Sequence, residues 1–169
     1  MSLTIRKLVS QDCAVIAESF TQQAWNKPIE KYERYLSDMV HDLRHVLVAE
    51  KDNGFAGYLT IVWTSPYPLF RDRAIPEITD LNVLIKFQRR GVATRLLDEA
   101  EFMIGQRSDI GGIRVGLTAD YGVAQRLYVQ RGYVPDGFGL SYHYRHLQYG
   151  ERVTVDDDLT LGFIKQVRG

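Results

Sequence analysis

The chain holds a single cysteine, Cys13, so it forms no internal disulfide and fits a reducing compartment. Prolines number five in 169 residues, too few for a proline-rich linker or a polyproline rod. Charge of neither sign is in excess: 21 Lys and Arg balance 21 Asp and Glu. That balance removes the overall electrostatic case for nucleic acid or an anionic membrane as partner. Apolar runs fall short of the roughly 20 residues that cross a bilayer. The opening "MSLTIRKLVS" has no apolar h-region, so no secretory signal is expected and the expected location is cytoplasmic. Repeats and low-complexity tracts are absent as well. With 45% apolar and 25% charged residues, the composition is that of a globular chain, read here as a single domain over residues 1–169.

Along the chain, short strand-like and helix-like patterns alternate. Thr4 to Leu8 alternates like a strand, and "SQDCAVIAESF" follows with Ser10 as expected N-cap. Pro28 to about Asp42 carries Ile29, Tyr32, Tyr35, Leu36 and Val40 on one helical side. "HVLVAEKDNGFAGYLTIVW" predicts a hairpin, with strands near 45–50 and 55–63 around Asp52-Asn53-Gly54. The segment "TSPYPLFRDRAIP" reads as a loop broken by Pro66, Pro68 and Pro76. Strand, helix, strand and helix then follow through "GIRVGL" and the face Val123, Ala124, Leu127, Tyr128, before strands near Tyr133 and at Leu159 to Val167. The pattern reads as α/β or α+β: one central sheet flanked by about four helices.

One stretch carries more than fold. In "DLNVLIKFQRRGVATRLLDEAE" a strand pattern gives way to a helix pattern, and Lys86, Arg89, Arg90 and Arg95 gather at the changeover. The first turn of a helix leaves about four N–H groups without partners, and its dipole adds roughly half a positive charge. Cations placed there repel it. An anion bound there turns the same arrangement favourable, and Gly91 lets such a group approach the backbone. Neither a Walker loop nor a GxGxxG fingerprint fits, because the lysine, serine and paired glycines those patterns need are missing. A phosphate-bearing ligand is the expectation.

The run Gln88-Arg89-Arg90-Gly91-Val92-Ala93, preceded by Leu81-Asn82-Val83, resembles the Gln/Arg-x-x-Gly-x-Gly/Ala signature of the GNAT superfamily of acyl-CoA-dependent N-acyltransferases. Farther on, "AQRLYVQRGYVP" resembles the second motif of that family, with Ala124, Tyr128, Gly132 and Tyr133 in the matching positions. The order of elements matches over essentially the whole chain. The resemblance implies a mixed, mostly antiparallel central sheet of about six to seven strands with about four helices. It also implies acetyl-CoA as co-substrate, with no metal. The pyrophosphate would lie on backbone N–H groups of Gln88, Arg89, Arg90, Gly91, Val92, Ala93 and Thr94. The pantetheine arm would pair with backbone near Leu81 and Val83 like an added strand, and the Leu81 N–H would face the thioester oxygen. Tyr128 would protonate the departing thiolate.

The base is less determined. Glu77 stands eleven residues before Gln88, the spacing of the catalytic glutamate in the histone-acetylating branch. Asp80 and Asn82 are neighbours of opposite strand parity, and a bulge would change which side chain faces the cleft. Two positions depart from the family pattern: Ile85 replaces a frequent proline, and Tyr121 replaces an asparagine that often contacts the cofactor. His41 with His45, and His143 with His146, lack the third ligand of a metal site. Asp156 to Asp158 reads as a solvated turn. Together these point to an enzyme moving an acetyl group onto a primary amine of a small molecule or peptide, with a homodimer compatible and neither nucleic acid nor membrane as partner. The alternative is a coenzyme A-binding sensor or partner module without turnover. The discriminating observation is thiol release from acetyl-CoA with a panel of amines.

Overall fold

A computed structural model describes residues 2–169 and divides the chain into two compact units, residues 1–63 with 78–103 and residues 64–77 with 104–169. In the first unit, β1 (Leu3–Lys7) pairs antiparallel with β2 (Arg44–Lys51), which pairs antiparallel with β3 (Gly54–Val62). The β2–β3 turn contains only Asp52 and Asn53, both at positive φ. Such a two-residue turn needs left-handed backbone at both positions, which Asp and Asn tolerate better than other side chains. Gly54 is therefore a strand residue facing Lys51, rather than part of the turn.

Helices α1 (Asp12–Thr21) and α2 (Ile29–Val40) bury Ile16, Phe20 and Tyr32 completely. Phe20 stacks on Trp25, and Tyr58 of β3 meets both Phe20 and Tyr32 edge-on. Ser10 does not cap α1: its hydroxyl turns to Gln11, and the Asp12 carboxylate accepts the Val9 N–H at 2.8 Å instead. Asp12 also holds Arg6 with two 2.7 Å bonds, so this carboxylate ties the start of α1 back to β1 and the residues before the helix, and no side chain caps α1.

The second unit opens with α3 (Pro68–Asp72), a helical turn inside the segment expected to be irregular. Proline at its first position supplies the helical φ and lacks only an N–H that would be unpaired there. Next in the chain come β4 (Glu77–Val83), α4 (Val92–Gly105), β5 (Ile110–Gly116), α5 (Gly122–Gln130), β6 (Val134–Tyr142), β7 (Arg145–His146) and β8 (Leu159–Gln166). Within the second unit β8 lies between β5 and β6, antiparallel to both, and β6 also pairs with β7. Tyr67, Phe70 and Ile75 form a cluster against Ile110 and Ile164. Gly112 makes room for it, because a Cβ there would sit 2.5 Å from the Phe70 ring. The fold is mixed α/β on a mostly antiparallel sheet, as expected, with eight strands and five α-helices among the described residues. The excess over the expected counts is the two-residue β7 and the one-turn α3, both too short for periodicity to register.

Candidate active site

The candidate side chains fall into two sets, one in each unit. In the first, the alternation of β4 breaks at Asp80, a non-glycine residue at φ +53°. Thr79 bonds Thr60 at 2.7 Å while Asp80 accepts from Tyr58 at 2.6 Å. Thr60 and Tyr58 are two apart on β3, so consecutive residues of β4 address one face. That is the geometry of a β-bulge.

The left-handed backbone costs on the order of 1–3 kcal/mol, and the Asp80 carboxylate is over-determined by its partners. Tyr35 donates to it at 2.8 Å, Asn82 Nδ2 at 2.8 Å and Lys31 Nζ at 2.7 Å, with Lys27 Nζ at 4.0 Å. Burial alone would raise this carboxyl, but Lys31, the Tyr58 hydroxyl and Lys27 outweigh it and hold the group below its ordinary range. Asp80 is thus a fixed anion and a weak base. Tyr58, buried against it, and the half-buried Tyr35 are pushed well above the usual phenol range. Gly57 belongs to the same junction: a Cβ there would come within 2.6 Å of the Asn82 carbonyl oxygen. Leu81 and Val83, the residues expected beside pantetheine, follow the break and are half-buried.

Beyond them a 3-10 turn, Ile85–Phe87, leads into the signature. Phe87, Val92, Leu96, Leu97 and Ala100 are buried and anchor the start of α4. Gln88, Arg89, Arg90, Gly91, Thr94 and Arg95 are exposed. The Gly91 carbonyl accepts the Arg95 N–H at 3.0 Å, the first helical bond, which leaves the Val92, Ala93 and Thr94 N–H groups with no carbonyl inside the helix. Arg89 at φ +57° and Gly91 at φ +80° turn the chain into this helix. A Cβ built on Gly91 meets nothing within 4 Å, so no neighbouring group crowds the turn at this residue. Backbone donors, helix dipole and three exposed arginines suit a diphosphate, the group that coenzyme A presents.

The second set lies in the other unit. Glu77 is 1% exposed, and its Oε1 accepts from Arg114 Nε at 2.8 Å while Oε2 accepts from the Ser65 hydroxyl. Tyr128 sits on the buried face of α5, its ring 6.1 Å from Tyr133. Burial pushes its phenol up to about 12, and its hydroxyl bonds no group among the described residues. Both proposed catalytic side chains thus belong to this unit, while every proposed cofactor-binding residue belongs to the first.

The substitution of tyrosine for asparagine also finds its reason here. Tyr121 lays its ring over Gly116, where a Cβ would collide with it, and its hydroxyl donates to Asp157 at 2.8 Å. Asp156 accepts from Tyr142 at 3.0 Å, and Asp158 lies 3.3 Å from His143. The three aspartates lie in an exposed turn before β8, as expected, and each also has a partner there. Arg114 was not singled out from the sequence. Its only signal was a lone charge in the apolar strand "GIRVGL", which marks a buried cation in need of a partner.

The acetyltransferase (GNAT) domain model matches residues 42–135, more than half of the chain. The chain belongs to the GNAT acetyltransferase family. Solved structures of similar fold include an N-acetyltransferase from Staphylococcus aureus Mu50, 14% identical, with 99% of this chain and 100% of that one covered at a TM-score of 0.72. The ribosomal-protein-S18-alanine N-acetyltransferase of Escherichia coli is 12% identical, with coverages of 99% and 96% and a TM-score of 0.69. The yncA protein of Salmonella typhimurium, solved with its cofactor acetyl-CoA, is 17% identical, with coverages of 100% and 96% and a TM-score of 0.70. At these identities the likeness is one of fold. No curated protein sequence matches the chain. No helix among the described residues is long and apolar enough to cross a membrane, and no group of three or more His, Cys, Asp or Glu there could hold a metal ion.

Proposed function

We propose that this GNAT chain transfers an acetyl group from acetyl-CoA to a primary amine of a small molecule or peptide, by direct attack of the amine on the thioester. The observation that carries the reading is the arginine-flanked amide cradle at the start of α4, following a strand whose regular alternation ends at Asp80. Gln88 through Thr94 would hold the pyrophosphate, and the backbone of Leu81 and Val83 the pantetheine arm. When bound, acetyl-CoA supplies the activated acyl group.

An alkyl amine of pKa about 10.4 is neutral roughly one part in a thousand at pH 7.4, about 4 kcal/mol uphill, so its proton needs an acceptor. Glu77 is our candidate. Both of its oxygens already have donors and it is buried, so it would act through a water rather than by direct contact. Asp80 is the poorer choice because Lys31, the Tyr58 hydroxyl and Lys27 together hold its carboxyl below its ordinary range, which weakens it as a base. At the leaving group, Tyr128 would give its proton to the thiolate. A phenol near 12 is a weaker acid than a thiol, so complete transfer is uphill unless the amine's proton is released in the same step. Thiol release from acetyl-CoA across a panel of amines tests the reading. Tight coenzyme A binding with no release for any amine would replace it by the sensor alternative.

A further inference from the structure

Arg114 occupies a built setting that acetyl transfer to a plain amine does not require. Its Nε is fixed by Glu77, and its guanidinium carbon lies 5.5 Å from the Tyr67 ring centroid and 4.5 Å from that of Tyr144. Nη1 reaches Thr160 at a long 3.5 Å, and Nη2 bonds nothing among the described residues. The side chain is nevertheless only 13% exposed. A guanidinium has five donors in a planar fork. Glu77 satisfies the inner edge, which leaves the outer edge, Nη1 and Nη2, mostly unpaired between two aromatic faces.

An ion pair that only stapled β4 to β5 would need no aromatic cover. Here the cover is bought with strain. Tyr142 pairs with Arg145, so His143 and Tyr144 alone make the β6–β7 turn, at φ +47° and +65°. Asn-Gly is the sequence that suits this turn, and two bulky side chains do not. Tyr144 remains 41% exposed while it stacks on Arg114. Strain of this sort gathers where a ligand is gripped. Ser141 and Thr160, 3.0 Å apart and both buried, add hydroxyl groups on the Thr160 side of the fork.

We propose that Arg114 recognises a carboxylate on the acceptor, so that the acceptor is an amino acid, peptide or other amine carrying a carboxylate. The outer edge of the fork takes both carboxylate oxygens, as guanidinium geometry favours. Tyr67 and Tyr144 hold the fork in one plane, and Glu77 keeps it from turning. The proposal rests on the acetyl-transfer reading and names the substrate class for it.

The test uses the whole chain with coenzyme A present and two readouts. The first follows the Arg114 Nε–H resonance, assigned by its loss in Arg114→Lys, during titration with a panel of amino acids and dipeptides, each beside its methyl ester. A saturable shift is expected with at least one free acid, and at least tenfold weaker binding of its ester. No saturable shift with any acid, or equal binding of acid and ester, overturns the proposal. The second readout is thiol release from acetyl-CoA with the same pairs, where kcat/KM is expected at least tenfold higher for the acid. A saturable acid-specific shift with no release for any amine leaves the recognition standing and removes the transfer reading. Release that is equal for acid and ester, without a shift, does the reverse. Arg114→Lys keeps the charge opposite Glu77 but loses the fork, and should cost the acid at least tenfold and the ester less. Should that variant not fold, Tyr144→Leu takes its place. A loss shared equally by acid and ester in that variant counts against the proposal.

Discussion

Tyr121 and Gly116 are a matched pair: the tyrosine ring fills the space that a Cβ at residue 116 would need. Gly116→Ala should therefore destabilise the protein by about 1–3 kcal/mol, as overpacking does. In a Tyr121→Asn background, which empties that space, the same change should cost at least about 1 kcal/mol less. Denaturant midpoints for the four proteins of this cycle measure the coupling. Strict additivity would show that the contact has no energetic weight.

For the acid, Tyr128→Phe keeps the ring against Tyr133 and removes only the hydroxyl. If Tyr128 protonates the thiolate, kcat should fall by about 10²–10⁴, or roughly 3–5 kcal/mol of transition-state stabilisation. The Tm should stay close to that of the parent, since the hydroxyl bonds no group among the described residues. A stable variant with near-normal kcat returns Tyr128 to a packing role.

The cofactor cradle has its own test. Gly91→Asp puts a carboxylate and a strained left-handed backbone at a turn that no neighbouring group now crowds. Coenzyme A affinity should drop at least tenfold, measured by titration calorimetry. Unchanged affinity would reject the first turn of α4 as the phosphate site.

Glu77→Gln leaves the Arg114 guanidinium beside a neutral amide in a buried position. Breaking a buried pair by removing one charge costs on the order of 3–5 kcal/mol. The Tm should fall well below that of the parent, whereas Arg71→Gln, at an exposed side chain that pairs with its neighbour Asp72, should leave it unchanged. Equal melting temperatures for the two variants would contradict the burial of the pair.

Alkaline pH should destabilise the protein through its tyrosines. Burial raises both Tyr128 and Tyr32 to about 12, above the unfolded value of 10. A raised pKa stabilises fully below the unfolded value and loses that contribution as pH climbs through the folded one. Stability should hold to about pH 10 and decline towards pH 12, by about 2–3 kcal/mol for each such group. Asp80 works at the other end: its lowered carboxyl contributes above its unfolded value of 3.8 and loses that contribution as pH falls below it. Chemical denaturation across both ranges, with tyrosine ionisation followed by absorbance, checks the two limbs. Flat stability from pH 10 to 12 would show that these phenols are less buried than the packing implies.

Sequence by itself determined the local and periodic features. The strand-turn-helix around Gly91 was legible because a helix start, a glycine and a cluster of cations are contiguous, and their chemistry depends on little beyond that segment. The family motifs at Gln88–Thr94 and Ala124–Tyr133 were legible for the same reason. The missing cap at Ser10, the two-residue β7 and the helical turn Pro68–Asp72 were not legible, because a side chain's choice of partner and single-turn elements leave no periodic trace. What only the tertiary structure decided were pairings between residues distant in sequence. Glu77 and Arg114 are 37 residues apart, Tyr35 and Asp80 45, and Tyr121 and Asp157 36. A carboxylate's role depends on which donors the fold brings to it, and that information lies in the crossing of strands rather than in the order of residues. Tyr121, a gap in the motif when read along the chain, proves to be one half of a packing pair because Gly116 lies beneath it.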